Sequence, residues 1–147
     1  MLTGSASVRI ERPVAEVFAA LTDITRTGEW SPECTGGRWV APATEAAVGA
    51  TFEGDNLAKA GPITLKRWTT TSEVTELVPN EVFEFISAEL TTWRYEFSSD
   101  GSATQVTESF SYPPFSGIQA LLYKSRPASM TKGIQTTLER VKSALER

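Results

Sequence analysis

The sequence predicts a single α+β domain: an antiparallel sheet of about seven strands packed on one long C-terminal helix, with two short helices after the first strand. Three observations carry that reading. Apolar residues recur at helical spacing near the two ends of the chain, in Val14, Val17, Phe18 and Leu21 and again in Met130, Ile134, Leu138, Val141 and Leu145. Between them, from Cys34 to Tyr112, alternating segments are joined by short turns rich in Gly, Pro, Asn and Asp, the mark of antiparallel neighbours. The 147 residues suit one core, and no repeat, low-complexity run or interdomain linker divides them.

Each element has a local reason. Val8 and Ile10 share a parity in SASVRIERP, a short strand that ends before Pro13. Pro13 then suits the first turn of a helix over PVAEVFAALTD, where its missing N–H costs nothing. Thr22 and Asp23 break that helix, and ITRTGEWSP makes a second short one closed by Pro32. CTGGRWV reads as a strand weakened or bent by its glycines. VGATFEGDNL puts Phe52, Gly54 and Asn56 on one parity before a turn at AKAGP. ITLKRWTTTSEVTELVP is long enough for a bent strand. NEVFEFISA, TTWRYEFSSD and ATQVTESFSY complete six strands after the helices, with turns at Pro79-Asn80, around Glu89 and at Asp100-Gly101.

Pro113-Pro114 ends the last strand, because proline cannot donate to the ladder. FSGIQALLYKSRP is helical up to a break at Pro127. In SMTKGIQTTLERVKSALER the apolar stripe is narrow, with Lys132, Glu139, Arg140 and Lys142 away from it. Such a stripe needs an apolar surface, and the inner face of the sheet is the only one large enough. For Phe115 to Pro127, with Leu121, Leu122 and Tyr123, ordinary packing of a broken C-terminal helix is the favoured expectation. A lid over a cavity mouth and a pairing surface in a homodimer are the alternatives.

Composition narrows the function. Hydrophobic residues make up 40% and charged residues 22%, as in a soluble globular chain. A net charge of -4 without any Lys/Arg-rich run argues against nucleic acid, whose binding depends on neutralising phosphates. There is no histidine, and Cys34 is the single cysteine, so neither a metal site nor a histidine-based triad is expected, and no cofactor. The start of the chain has no basic segment followed by an apolar run, and no stretch reaches the length of a membrane span. A cytoplasmic location is the default expectation.

Five segments, IERPVAEVFAALTDITRTGEWSP, VGATFEGDN, RWTTTSEVTELVPNEVFEF, TTWRYEFSSDGSATQVTESF and TLERVKSALE, follow one another in an order and spacing that resemble the START-like helix-grip (SRPBCC) superfamily, and within it the polyketide cyclase/dehydrase-type branch. The resemblance covers nearly the whole chain. It implies a curved sheet gripping the C-terminal helix, with a cavity between them for an apolar or amphipathic small molecule. It does not imply a reaction, since carriers, cyclases and partner-binding proteins share this architecture.

Within that frame, Phe52, Asn56, Trp68, Trp93, Tyr95, Phe110, Met130 and Ile134 are the candidate ligand-binding residues. Phe97 also falls on the inner parity, and for any one aromatic, plain core filling competes with cavity lining. Asn56 either presents an amide to the cavity or belongs to turn chemistry in GDN. Glu108 poses the sharpest question, because it shares its parity with Val106, Phe110 and Tyr112. It either points inward, passes the sheet edge into water, or is turned outward by a bulge. If inward, Asn56 and Tyr95 are its candidate partners, and the preferred role is an orienting polar group in an apolar pocket. Glu108 and Tyr95 are also the weak candidates for acid/base catalysis. Cys34 reads as an inert buried thiol, and Arg94 and Glu96 fall on the outer parity, where cross-strand charge pairing is their expected role.

Overall fold

The computed structural model describes residues 1–147. Strand β1 (Leu2–Ile10) is followed by helix α1 (Val14–Thr22) and a 3₁₀ helix at Ile24–Glu29. Six strands come next: β2 (Cys34–Trp39), β3 (Thr51–Ala60), β4 (Ile63–Val78), β5 (Val82–Ser87), β6 (Thr91–Asp100) and β7 (Ala103–Tyr112). Helices α2 (Ile118–Leu122) and α3 (Arg126–Leu145) complete the chain. The strands form one antiparallel sheet in the order β1-β7-β6-β5-β4-β3-β2, so the meander from β2 to β7 ends beside β1. This is the α+β helix-grip arrangement that the sequence predicts. No helix is long and apolar enough to cross a membrane.

Local chemistry accounts for the boundaries. Asp23 ends α1 and accepts a hydrogen bond from the Thr25 N–H at 3.1 Å, which caps the 3₁₀ helix. Turns fall where they were predicted, with left-handed φ at Asn80, Ala88, Glu89 and Gly101. A bulge between Val74 and Glu76 bends β4. On the outer face Arg94 donates to Glu76 at 2.9 Å and to Glu84 at 2.8 Å, joining β6 to β5 and β4, with Glu96 a further neighbour at 3.5 Å.

Helix α3 lies along β1 and, more lightly, β7. It buries Leu138 and Val141, which pack with Ile10, Val106 and the α1 residues Val17 and Leu21, and Ile134, which packs with Phe110 and Tyr112. Its two ends are fixed to β1 in different ways. Near the N-terminus, a Cβ added to Gly4 would stand 2.3 Å from Thr131 Oγ1 and 2.6 Å from the Phe110 ring, so the helix settles against bare backbone there. Near the C-terminus, Lys142 Nζ donates to the Arg9 carbonyl at 2.7 Å, the Arg12 guanidinium donates to the Leu145 carbonyl at 2.7 Å, and Glu146 accepts from the Glu11 N–H at 2.7 Å.

Three features differ from the sequence expectation. Strand β3 runs on to Ala60, so the turn shrinks to Gly61-Pro62. Pro127 opens α3 instead of breaking a helix, because the first helical turn has no N–H that needs a partner. The segment Phe115–Pro127 does not pack like the rest of the C-terminal region: Ile118, Leu121 and Leu122 are 72%, 72% and 67% exposed. Five residues of α2 make little more than one turn, too short to offer the core a continuous stripe.

Gly4→Ala is expected to force α3 away from β1, costing about 2 kcal/mol and lowering Tm by roughly 5 °C. Gly36→Ala is the control, since a Cβ there meets nothing within 4 Å, and its effect should stay within about 0.5 kcal/mol. Thermal unfolding of both variants beside the parent chain checks the difference.

Candidate functional site

Because α3 makes its close approach to β1 and β7, much of the inner face of β3, β4 and β5 is left uncovered, although Phe52, Val74 and Phe83 there are buried in the main core. The space left is an open cavity of about 1280 Å³ between the sheet and the N-terminal half of α3. Strand alternation places side chains on its wall in pairs across the ladder. Asn56 sits opposite Trp68, Phe52 opposite Ser72, Phe85 opposite Trp93, and Tyr95 opposite both Phe83 and Glu108. Helix α3 adds Met130, Gly133, Ile134 and Thr137, one face at spacings of three and four. Trp30, Pro32 and Cys34, around the start of β2, close one side.

The polar groups of the wall are mostly paired with one another. Asn56 Nδ2 donates to Thr70 Oγ1 at 2.8 Å and to the Gly54 carbonyl at 3.2 Å, so it serves β3 and β4 and not Glu108. Ser72 and Ser87 share a hydrogen bond of 2.6 Å. The Cys34 thiol donates to the Gly36 carbonyl at 3.2 Å, and burial pushes its pKa up, away from thiolate chemistry.

Glu108 is the exception. Strand β7 keeps unbroken register with β1 and β6, so neither a bulge nor the sheet edge turns Glu108 outward. It points inward, is 3% exposed, and its Oε1 has no hydrogen-bond partner. Burial raises its pKa to about 8, while the hydroxyl of Tyr95, its neighbour across the ladder, favours the carboxylate and opposes part of that rise. The Tyr95 contact falls outside the geometry of a well-formed hydrogen bond, and Oε1 is left entirely open. Burial, and then the negative charge of Glu108, push the Tyr95 hydroxyl well above its ordinary value. Near neutral pH both groups are therefore protonated, two hydrogen-bond donors on adjacent strands at the floor of an apolar cavity.

Phe52, Asn56, Trp68, Trp93, Tyr95, Glu108, Met130 and Ile134 all reach the cavity wall. Phe110 does not: it is 2% exposed and packs with Tyr112 and Ile134 beneath α3, where Gly4 lets the helix descend. Phe97 is likewise core, edge-on to Phe18 with ring centroids 5.1 Å apart. Sequence reasoning passed over Thr70 and Ser72, although they share the parity of Trp68, and Gly133 and Thr137, although they lie three and seven residues after Met130. Arg126 also lines the cavity, four residues before Met130, and it escapes the sequence reading because a break is expected at Pro127.

A family model described as polyketide cyclase / dehydrase and lipid transport matches residues 1–146. The uncharacterized protein Rv0088 of Mycobacterium tuberculosis is 30% identical over 148 residues, covering 97% of this chain and 64% of that protein, so the chain spans just under two thirds of this relative's length. Among solved structures, the Polyketide_cyc-like protein Cgl2372 from Corynebacterium glutamicum is 32% identical with a TM-score of 0.67, covering 99% of this chain and 91% of that one. Protein CV1439 from Chromobacterium violaceum has a TM-score of 0.74 at 17% identity, covering 99% of this chain and 98% of that one, a likeness of fold.

The Glu108 carboxyl makes stability depend on pH. Its pKa rises from an ordinary 4.5 to about 8 on folding, so the folded chain keeps a proton that the unfolded chain releases between those values. The Glu108 contribution to stability is greatest below pH 4.5 and is lost as pH rises toward 8, by an amount on the order of 5 kcal/mol. Glu108→Gln should flatten this dependence, with a smaller drop in Tm between pH 5 and pH 9 than in the parent chain. Parallel Tm profiles would show that Glu108 does not titrate in this range.

Proposed function

The chain belongs to the polyketide cyclase / dehydrase and lipid transport family, and we propose that it binds a hydrophobic or aromatic small molecule, lipid- or polyketide-like, in the cavity between the sheet and α3. One observation carries this reading: a large, mainly apolar space whose floor holds a buried carboxyl with an unpartnered oxygen. Such a group costs stability unless something completes its hydrogen bonds. In the bound state Phe52, Trp68, Trp93, Met130 and Ile134 supply apolar contact, at roughly 25 cal/mol for each Å² removed from water. Tyr95 and protonated Glu108 donate to a carbonyl or hydroxyl oxygen of the ligand and fix its orientation. Asn56, whose amide N–H groups already bond Thr70 and the Gly54 carbonyl, offers the wall only its Oδ1 acceptor.

A second reading follows from the same carboxyl. A neutral Glu108 can donate its proton to a carbonyl oxygen of the ligand as an enol carbon of the same ligand molecule attacks the carbonyl carbon. The C=O π bond becomes C–OH, and the proton released by the enol hydroxyl returns to the Glu108 carboxylate, which completes the ring closure of an aldol-type cyclisation. Confinement would lower the entropic cost of that closure. Turnover of a poly-β-ketone analogue that falls sharply in Glu108→Gln supports this cyclase reading, and unchanged turnover removes Glu108 as the acid.

Gly133 offers the direct test of the cavity. It lines the space from the helix side, and a Cβ there meets nothing within 4 Å. Gly133→Phe should fill the cavity and weaken binding of the neutral dye Nile red at least tenfold. Tm should hold or rise, because replacing glycine within a helix gains about 0.5 kcal/mol or more. Dye binding that is unaffected by this substitution places the dye elsewhere and overturns the proposal.

A further inference from the structure

We propose that the cavity takes an amphipathic organic acid, with the carboxylate of the ligand held by the guanidinium of Arg126 at the cavity mouth and the apolar body directed inward. The inference deepens the cavity reading above and rests on it.

Arginine pairing across the molecule isolates this residue. Arg9, Arg12, Arg26, Arg38 and Arg94 each have a carboxylate within 4.0 Å. Arg67, Arg140 and Arg147 are exposed and solvated. Arg126 is half-buried in the cavity wall and forms no ion pair. The one hydrogen bond of its side chain runs from Nε to the Met130 sulfur at 3.4 Å, a weak acceptor, so its two terminal nitrogens have no partner in the chain.

The fork is nevertheless held in place. Its central carbon lies 5.3 Å from the centroid of the Tyr112 ring and 5.8 Å from that of Phe115. A fixed planar guanidinium with free N–H groups suits bidentate recognition of a carboxylate. The chain does not provide that carboxylate. Glu33, also on the wall, feels the Arg126 charge, which offsets part of the rise in its pKa caused by burial, yet the two form no ion pair within 4.0 Å. Lys66 is the other cation of the wall, but it is exposed and lies over the Trp68 ring, 5.3 Å from its centroid. With Glu33 and Glu89 also on the wall, the balance favours one negative charge over a phosphate dianion. The two ends of the cavity then address two functions of one ligand: an anion at Arg126, and an oxygen acceptor at Glu108 and Tyr95.

Fluorescence titration at pH 7 with 11-(dansylamino)undecanoate and with its methyl ester tests this. The parent chain should bind the acid at least about tenfold more tightly than the ester, with the preference shrinking in high salt. Arg126→Gln should bring the acid down to the affinity of the ester and leave the ester unchanged, while Arg140→Gln, on the exposed side of α3, keeps the preference. Equal affinity of the parent chain for acid and ester overturns the inference without any variant, as does a preference that survives in Arg126→Gln. If the ester binds and the preference is absent, only the anion subsite fails. If neither probe binds, the cavity reading fails and the inference with it.

Discussion

A helix of twenty residues is a rod about 30 Å long, and it can follow only one direction across a seven-stranded sheet. Here it follows β1 and β7. Everything of functional interest is a consequence of what it leaves uncovered. The C-terminal half of α3, with α1 and the residues of β1 and β7, makes a close-packed core around Leu138 and Val141. Phe52, Val74 and Phe83 on β3 to β5 join that core, while Trp68 and Trp93, farther along the same face, border the open space. The same alternation that builds a core under the helix builds a cavity wall beside it.

The wall is not uniformly apolar, and the placement of its polar groups is selective. Asn56, Thr70, Ser72 and Ser87 satisfy one another across adjacent strands, so they shape the surface without demanding a ligand. Glu108 and Arg126 are left incomplete, the first deep and the second at the rim. A buried unpaired carboxyl is a stability cost that a purely structural strand would shed through an apolar substitution of similar size. The protonated state limits that cost near neutrality and converts the acid into a donor.

Much of this was legible in the sequence because alternation and helical spacing are strong signals. Trp93, Tyr95 and Phe97 predicted one face, and Met130, Ile134, Leu138 and Val141 predicted one stripe. The inward direction of Glu108 followed from parity alone, although parity did not choose between a partnered and an unpartnered side chain. What failed was the division of one face into core and cavity. Phe110 and Trp93 share the inner face, and they are separated only by where α3 crosses, which depends on Gly4 and Thr131 meeting across more than a hundred residues. The exposure of Ile118 and Leu121 was hidden for a similar reason, because a short apolar run reads alike whether or not a surface is present to receive it. Ala88 and Glu89 form a left-handed turn without glycine or asparagine, so only the hydrophobic breaks around them marked it.

The attachment of α3 at both ends has a consequence for selectivity. Backbone contact at Gly4 and three polar ties, at Arg9, Glu11 and Arg12, hold the rod against β1 and the turn after it like a beam on two supports, which restrains the width of the chamber. Discrimination among guests by size then resides in which side chains project into a space of restrained span, and a single position such as Gly133 is enough to reset it.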